Sequence, residues 1–138
     1  MMAKDIFHIH VREALEKDGW IITDDPYILR AEEIDYEVDL GAERLIAAAK
    51  ANEKIAVEVK SFLRQSKVYE MHNALGQFNT YSFALKSQEP SRILYLAVPE
   101  NIYSEFFQTK FIKSLVDYYD MKLIVFDPSE KNIVRWKK

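Results

Sequence analysis

The chain has no cysteine, so disulfides and thiolate metal sites are excluded and any metal must be held by carboxylate, imidazole or carbonyl groups. Glycine and proline are scarce, at 3 and 4 in 138 residues, which leaves little room for long irregular linkers and points to one domain spanning 1–138. Positive charge is in deficit, with a net charge of -3, so no global basic footprint exists for a phosphate backbone. Nucleic-acid contact would have to come from a local patch, a metal ion or a partner chain. Apolar runs stay well short of the ~18 residues of a membrane span. A basic, apolar, small-residue leader is also missing from the start, so the expectation is a cytoplasmic protein without a membrane segment.

What remains is a soluble-type composition with enough apolar residues (49%) to build a core. Lys4 to Lys17 has helical spacing and ends before Gly19. Trp20 to Thr23 reads as a strand, and Asp24-Asp25-Pro26 as a turn. Asp35 to Leu40 alternates acid and apolar residues, predicting a half-buried strand with Asp35, Glu37 and Asp39 on one face. Leu45 to Ala49 is open between helix and the first arm of a hairpin, with the turn expected at Lys50-Ala51-Asn52-Glu53. Ile55 to Phe62 is the clearest strand.

Val68 to Leu85 predicts a long helix with Val68, Met71, Leu75, Phe78, Ser82 and Leu85 as its core stripe. Ile93 to Val98 is continuously apolar, as in a strand covered on both faces. Glu100 to Tyr119 reads as helical with a break near Gln108-Thr109, and its aromatics suit core packing or an interface. Leu123 to Phe126 and Ile133 to Trp136 close the chain as a buried strand and an edge strand. The expected order is α-β-β-β-α-β-α-β-β, an α/β protein with a mixed sheet flanked by helices.

Chemistry concentrates in Asp39 and, 19 residues later, Glu58-Val59-Lys60. If their strands pair, the two carboxylates can converge on a hard cation such as Mg2+ or Mn2+, with Lys60 placed to stabilise developing phosphoryl charge. A Glu-x-Lys pair usually marks a solvated strand face. Here Ile55, Ala56, Val57 and Val59 make the strand look central, where such a pair needs a cleft.

Gln77 and Tyr81, four residues apart on one helical face, could hold a phosphate or nucleobase beside it. On the first helix His8 is the preferred further group and Glu13 the alternative, while His10 and His72 lack comparable context. Asp35 and Glu37 fit either supporting groups or an exposed edge. Lys131, Arg135, Lys137 and Lys138 around Trp136 form a basic aromatic end that suits nucleic acid or a solubilised edge strand.

The segments Ala3-Lys4-Asp5-Ile6-Phe7-His8, Lys17-Asp18-Gly19-Trp20, Val38-Asp39-Leu40-Gly41-Ala42-Glu43, Ile55 to Phe62, Ala74-Leu75-Gly76-Gln77, Leu94 to Pro99 and Lys122 to Pro128 resemble the XisH family, in order and from end to end. Members of that family are controlling factors for excision of the fdxN element in heterocyst-forming filamentous cyanobacteria, where a separate site-specific recombinase cuts and rejoins the DNA. The resemblance implies a XisI-like partner. It also implies a restriction-endonuclease-like, PD-(D/E)XK core, matched by Asp39, Glu58 and Lys60, with the Gln-x-x-x-Tyr of RecB-type members matched by Gln77 and Tyr81. Val38 stands where that pattern has proline, and His8 lies near the position of its first-helix glutamate. On this resemblance the chain is expected to be either a metal-dependent nuclease acting in DNA rearrangement or a non-catalytic regulator on the same scaffold.

Overall fold

The computed structural model describes residues 5–46 and 51–138. The Asp5 carboxylate accepts from the Phe7 amide at 2.9 Å and its carbonyl from the His8 amide at 2.9 Å. Helix α1 then runs His8–Lys17 and ends before Gly19, which takes φ +92. The expected start at Lys4 is therefore corrected, because Asp5 to Phe7 form a turn; Lys4 lies outside the described residues.

Strands β1 (Ile21–Asp24), β2 (Tyr27–Ala31), β3 (Ile34–Val38), β4 (Leu40–Ile46) and β5 (Ala51–Val59) follow. Helix α2 (Lys67–Gln88) leads to β6 (Arg92–Pro99). Helix α3 (Glu100–Ser104), a 3-10 turn at Phe106–Gln108 and α4 (Lys110–Tyr118) precede β7 (Leu123–Asp127) and β8 (Asn132–Lys137). The expected order of helices and strands is found apart from two additional strands before α2, and the helical stretch breaks after Ser104 and again at the expected Thr109.

Two differences bear on the site. Tyr27–Ala31 is a strand that the sequence reading did not include. The stretch 35–40 is not one strand but two, divided at Asp39. β3 pairs only with β2, forming a separate hairpin, whereas β4 joins the main sheet. The chain leaves one sheet and enters the other at Asp39. Gly41 permits this crossing, since a Cβ there would come within 3.0 Å of Asp24 Oδ2 and Tyr27 Cδ2.

The main sheet has the order β1-β4-β5-β6-β7-β8, parallel between β5, β6 and β7 and antiparallel at both sides. Residues 51–53, expected in a turn, already pair with β4; Lys50 and 47–49 lie outside the described residues. Ile55, Val57 and Val59 face a core shared with Val11 and Leu15 of α1, while Ala56 faces the core beneath α2 and α4. Leu94, Leu96 and Val98 against Tyr95 and Ala97 repeat that alternation in β6, which explains the unbroken apolar run.

Helix α2 is capped by Ser66, whose hydroxyl accepts from the Tyr69 amide at 3.2 Å. Its buried stripe is Met71, Ala74, Phe78, Tyr81 and Leu85, so the expected stripe is corrected: Val68 is exposed, and Leu75 and Ser82 are half-buried. The cause is the hairpin, which brings Tyr36 against Tyr81 with ring centroids 5.3 Å apart and turns Tyr81 inward. No helix among the described residues is long and apolar enough to cross a membrane.

Candidate functional site

Asp39, Glu58, Lys60, Gln77, Tyr81 and His8 all line one cavity of about 730 Å³ at the end of β5, between the start of α1 and the Glu70-to-Tyr81 stretch of α2. Parallel pairing of β5 with β6 brings Glu58 there. Period-two alternation places it on the α2 side, and the Lys60 amide extends the ladder by donating to the Ala97 carbonyl at 2.9 Å. Beyond it, the Ser61 amide donates to Asp5 Oδ2 at 3.0 Å, which ties this strand end to the start of α1.

The two carboxylates are locked into the backbone. Asp39 Oδ2 accepts from the Val59 amide at 2.7 Å, and Glu58 Oε1 accepts from the Asp39 amide at 3.3 Å. Glu58 Oε2 lies 3.4 Å from Lys60 Nζ, and Asp39 Oδ1 lies 3.9 Å from His8 Nδ1. Burial, reinforced by the Asp39 charge, pushes the Glu58 carboxyl up to about 8. Burial likewise raises Asp39, despite the Val59 hydrogen bond and the nearby His8 and Lys60. Tyr81 is raised to about 12 by burial and then by the two carboxylates.

Two desolvated carboxylates, with the Asp39 charge further disfavouring ionisation of Glu58, are a donor set that a hard cation would relieve. Asp39 and Glu58 could hold one. Among the described residues no three His, Cys, Asp or Glu side chains come together as a metal cage. Two carboxylates suit magnesium or manganese, which keep water and share phosphate oxygens, better than an ion that demands a closed protein shell.

Glu37 lines the same cavity, but Asp35 does not; it pairs with Arg30 across the hairpin at 3.0 Å. Glu13 faces away, 3.4 Å from Lys131. His10 packs edge-on against Phe7, and His72 is exposed. The basic aromatic end is occupied by structure. Trp136 packs at a tilt against Trp20 and edge-on against Tyr95, and Lys137 donates to the Met121 carbonyl at 3.1 Å.

Three contributors were not foreseen: Asp5, Asp25 and Arg12. Asp25 Oδ1 is 2.8 Å from His8 Nε2, and Arg12 Nη1 donates to Asp25 Oδ2 at 2.7 Å. The spacing of His8 and Arg12, four apart on α1, was the available signal for a shared face. Nothing local in the sequence pointed to Asp25 as their common partner.

Residues 1–134 match the family described as XisH protein. The crystal structure of a XisH family protein from Nostoc punctiforme PCC 73102 superposes with a TM-score of 0.89 at 44% identity, covering 97% of this chain and 100% of that one. A fdxN element excision controlling factor protein from Anabaena variabilis gives the same TM-score and identity, covering 98% of this chain and 100% of its own. No curated protein matches the sequence. With the match running from the first helix into the last strand, and with relatives of this identity alike over their whole length, the chain belongs to the XisH family.

Proposed function

We propose that this chain acts in excision of a DNA element and carries a metal-dependent phosphodiester-hydrolysing site on a restriction-endonuclease-like core. The description of the Anabaena variabilis relative supports the first part. The observation that carries the second is the interlocked pair, with Asp39 bonded to the Val59 amide and Glu58 bonded to the Asp39 amide, beside Lys60 in an open cavity. An isolated solvated Glu-x-Lys face would have neither the burial nor the partner carboxylate.

When bound, magnesium or manganese supplies Lewis-acid polarisation of a phosphoryl oxygen. Asp39 and Glu58 hold the cation, and Lys60 stabilises charge developing on the phosphoryl group or orients the attacking water. Gln77 and Tyr81 steady a phosphate or base from α2.

Cleavage of supercoiled, branched and single-stranded DNA in Mg2+ or Mn2+ tests the reading. Wild type should cut, and Lys60→Ala should fall by about 100-fold or more. Equal rates, or no cutting by either, would remove the hydrolytic reading.

A second reading is a non-catalytic regulator that binds a XisI-like partner, the site-specific recombinase or DNA. The acidic cavity favours it: Asp5, Asp25, Glu37 and Glu70 line the wall along with the central pair, a poor electrostatic host for bare phosphates. Co-purification of a XisI-like protein with wild type and Lys60→Ala alike, without cleavage, would select this reading.

A further inference from the structure

Between the end of β5 and the start of α2 the chain follows an irregular path whose backbone is nonetheless tied down. The Ser61 amide donates to Asp5 Oδ2, and the Arg64 amide donates to Glu70 Oε2 at 3.1 Å. Lys67 Nζ donates to the Arg64 carbonyl at 3.1 Å. Phe62 is buried, with its ring 5.4 Å from Phe107 and 5.9 Å from Phe106. It takes φ +53, a left-handed conformation that a bulky residue keeps only when its surroundings enforce it.

The side chains that follow this turn stand outward. Leu63 is 61% exposed, and Arg64 is exposed with no ion pair to its guanidinium among the described residues. Ser61 and Leu63 line both the central cavity and a neighbouring one of about 550 Å³, so the segment is a ridge between them. Tyr69 follows in the first turn of α2, 56% exposed. It is spaced by four from Asn73 and by eight from Gln77, both of which line the central cavity, so one helical face runs from Tyr69 into that cavity.

Apolar side chains left in water on a restrained backbone are a surface prepared for a partner. The charge beside them selects it. Arg64 and Lys67 stand at the edge of a cavity walled by acids, so an anionic chain is attracted to the rim and repelled from the interior. Single-stranded nucleic acid alternates phosphates with flat bases, the complement of cations interleaved with Leu63 and Tyr69. A duplex keeps its bases stacked inside and needs a longer run of cations than this ridge supplies.

We propose that the ridge from Leu63 to Tyr69 grips single-stranded nucleic acid along the rim of the central cavity, with Arg64 on a phosphate and Tyr69 stacked on a base. The use made of the bound strand rests on the hydrolytic reading above; the grip itself needs no metal.

The experiment is fluorescence anisotropy with a labelled oligothymidylate and a hairpin duplex of matched length, in EDTA so that metal-dependent cleavage is silent. Wild type should bind the single strand more tightly than the duplex. Arg64→Gln should lower the slope of log affinity against log salt by about 0.7, the loss of one single-strand phosphate. Tyr69→Ala should weaken binding roughly tenfold at an unchanged slope. Both side chains are exposed, so both variants should melt with wild type. Tyr118→Ala, whose exposed ring lines neither cavity, should bind as wild type does.

No binding by wild type, a duplex held as tightly as the single strand, or wild-type affinity and slope in both ridge variants overturns the proposal. An equal loss in Tyr118→Ala overturns it as well. Displacement by poly-glutamate at equal charge concentration overturns it in favour of an acidic peptide. Each of these leaves the hydrolytic reading to its own test, the Mg2+-dependent rates of wild type and Lys60→Ala. The expected binding without cleavage supports the ridge and counts against the hydrolytic reading alone.

Discussion

The backbone amide of Asp39 donates to the side chain of Glu58 at 3.3 Å, so the residue that ends one sheet is fastened to the acid in the middle of the other. This bond makes the site a property of the fold rather than of two free side chains. It also keeps two acids close in a place where neither ionises at its ordinary pH.

Replacing Glu58 should therefore stabilise the protein, in a pH-dependent way. Below about pH 4.5 the folded and unfolded chains both keep the Glu58 proton. Between 4.5 and about 8 the unfolded chain releases it while the folded chain retains it, so wild-type stability falls as pH rises through that window. Glu58→Gln has no such proton to hold. Urea denaturation should find the variant more stable by roughly 1–3 kcal/mol at pH 8, with the two converging near pH 4.

Cation binding should act in the opposite direction on wild type. Millimolar Mn2+ or Mg2+ binding only the folded state should raise the melting temperature with concentration, as mass action requires. Asp39→Asn removes one of the two charged ligands and should lose most of that shift. Equal shifts in both proteins would place the ion elsewhere.

Glu89 is expected to stabilise the side of the sheet remote from the site. It receives Arg92 Nε at 2.7 Å and the Tyr27 hydroxyl at 2.7 Å, and the Arg92 guanidinium holds its carboxyl down to about 2. That contribution is complete above about pH 4.5 and vanishes as pH falls through about 2. Glu89→Gln should cost about 1–2 kcal/mol at pH 7, discounted for its partial exposure. The gap from wild type should close during acid titration followed by circular dichroism.

Trp136→Ala should separate core from surface at the C-terminal strand. With ring contacts to Trp20 at 5.6 Å and Tyr95 at 5.0 Å, the loss should cost about 2–4 kcal/mol in denaturant. Fluorescence anisotropy with DNA should find no more than a small change in affinity. A large loss of DNA binding in a still-folded variant would support the nucleic-acid reading of that strand.

Much of this was legible in the chain itself. Ile55 to Val59 alternates between two buried faces, so strand, register and the placement of Glu58 follow from local pattern. The division at Asp39 was not legible, because acid-apolar alternation runs through 35–40 whichever sheet each half joins. β2 was hidden by its shortness and by the turn residues just before it. That omission explains the misplaced stripe on α2: without the hairpin, nothing indicates that Tyr81 has Tyr36 to pack against. The pairing of His8 with Asp25 spans 17 residues and depends on the chain's path around β1, which no local rule encodes.

The hairpin has one more consequence. Asp25 leads into it and Asp39 follows it, and both meet the same imidazole. The rung joining Tyr27 to Val38 closes the excursion just inside those two residues. Leu29 is fully buried and Tyr36 packs on Tyr81, so only the exposed tip at Glu32-Glu33 can be lengthened, shortened or exchanged without changing the span between the two acids. That tip is thus the natural place for the protein to acquire a new recognition surface while its chemistry stays in register.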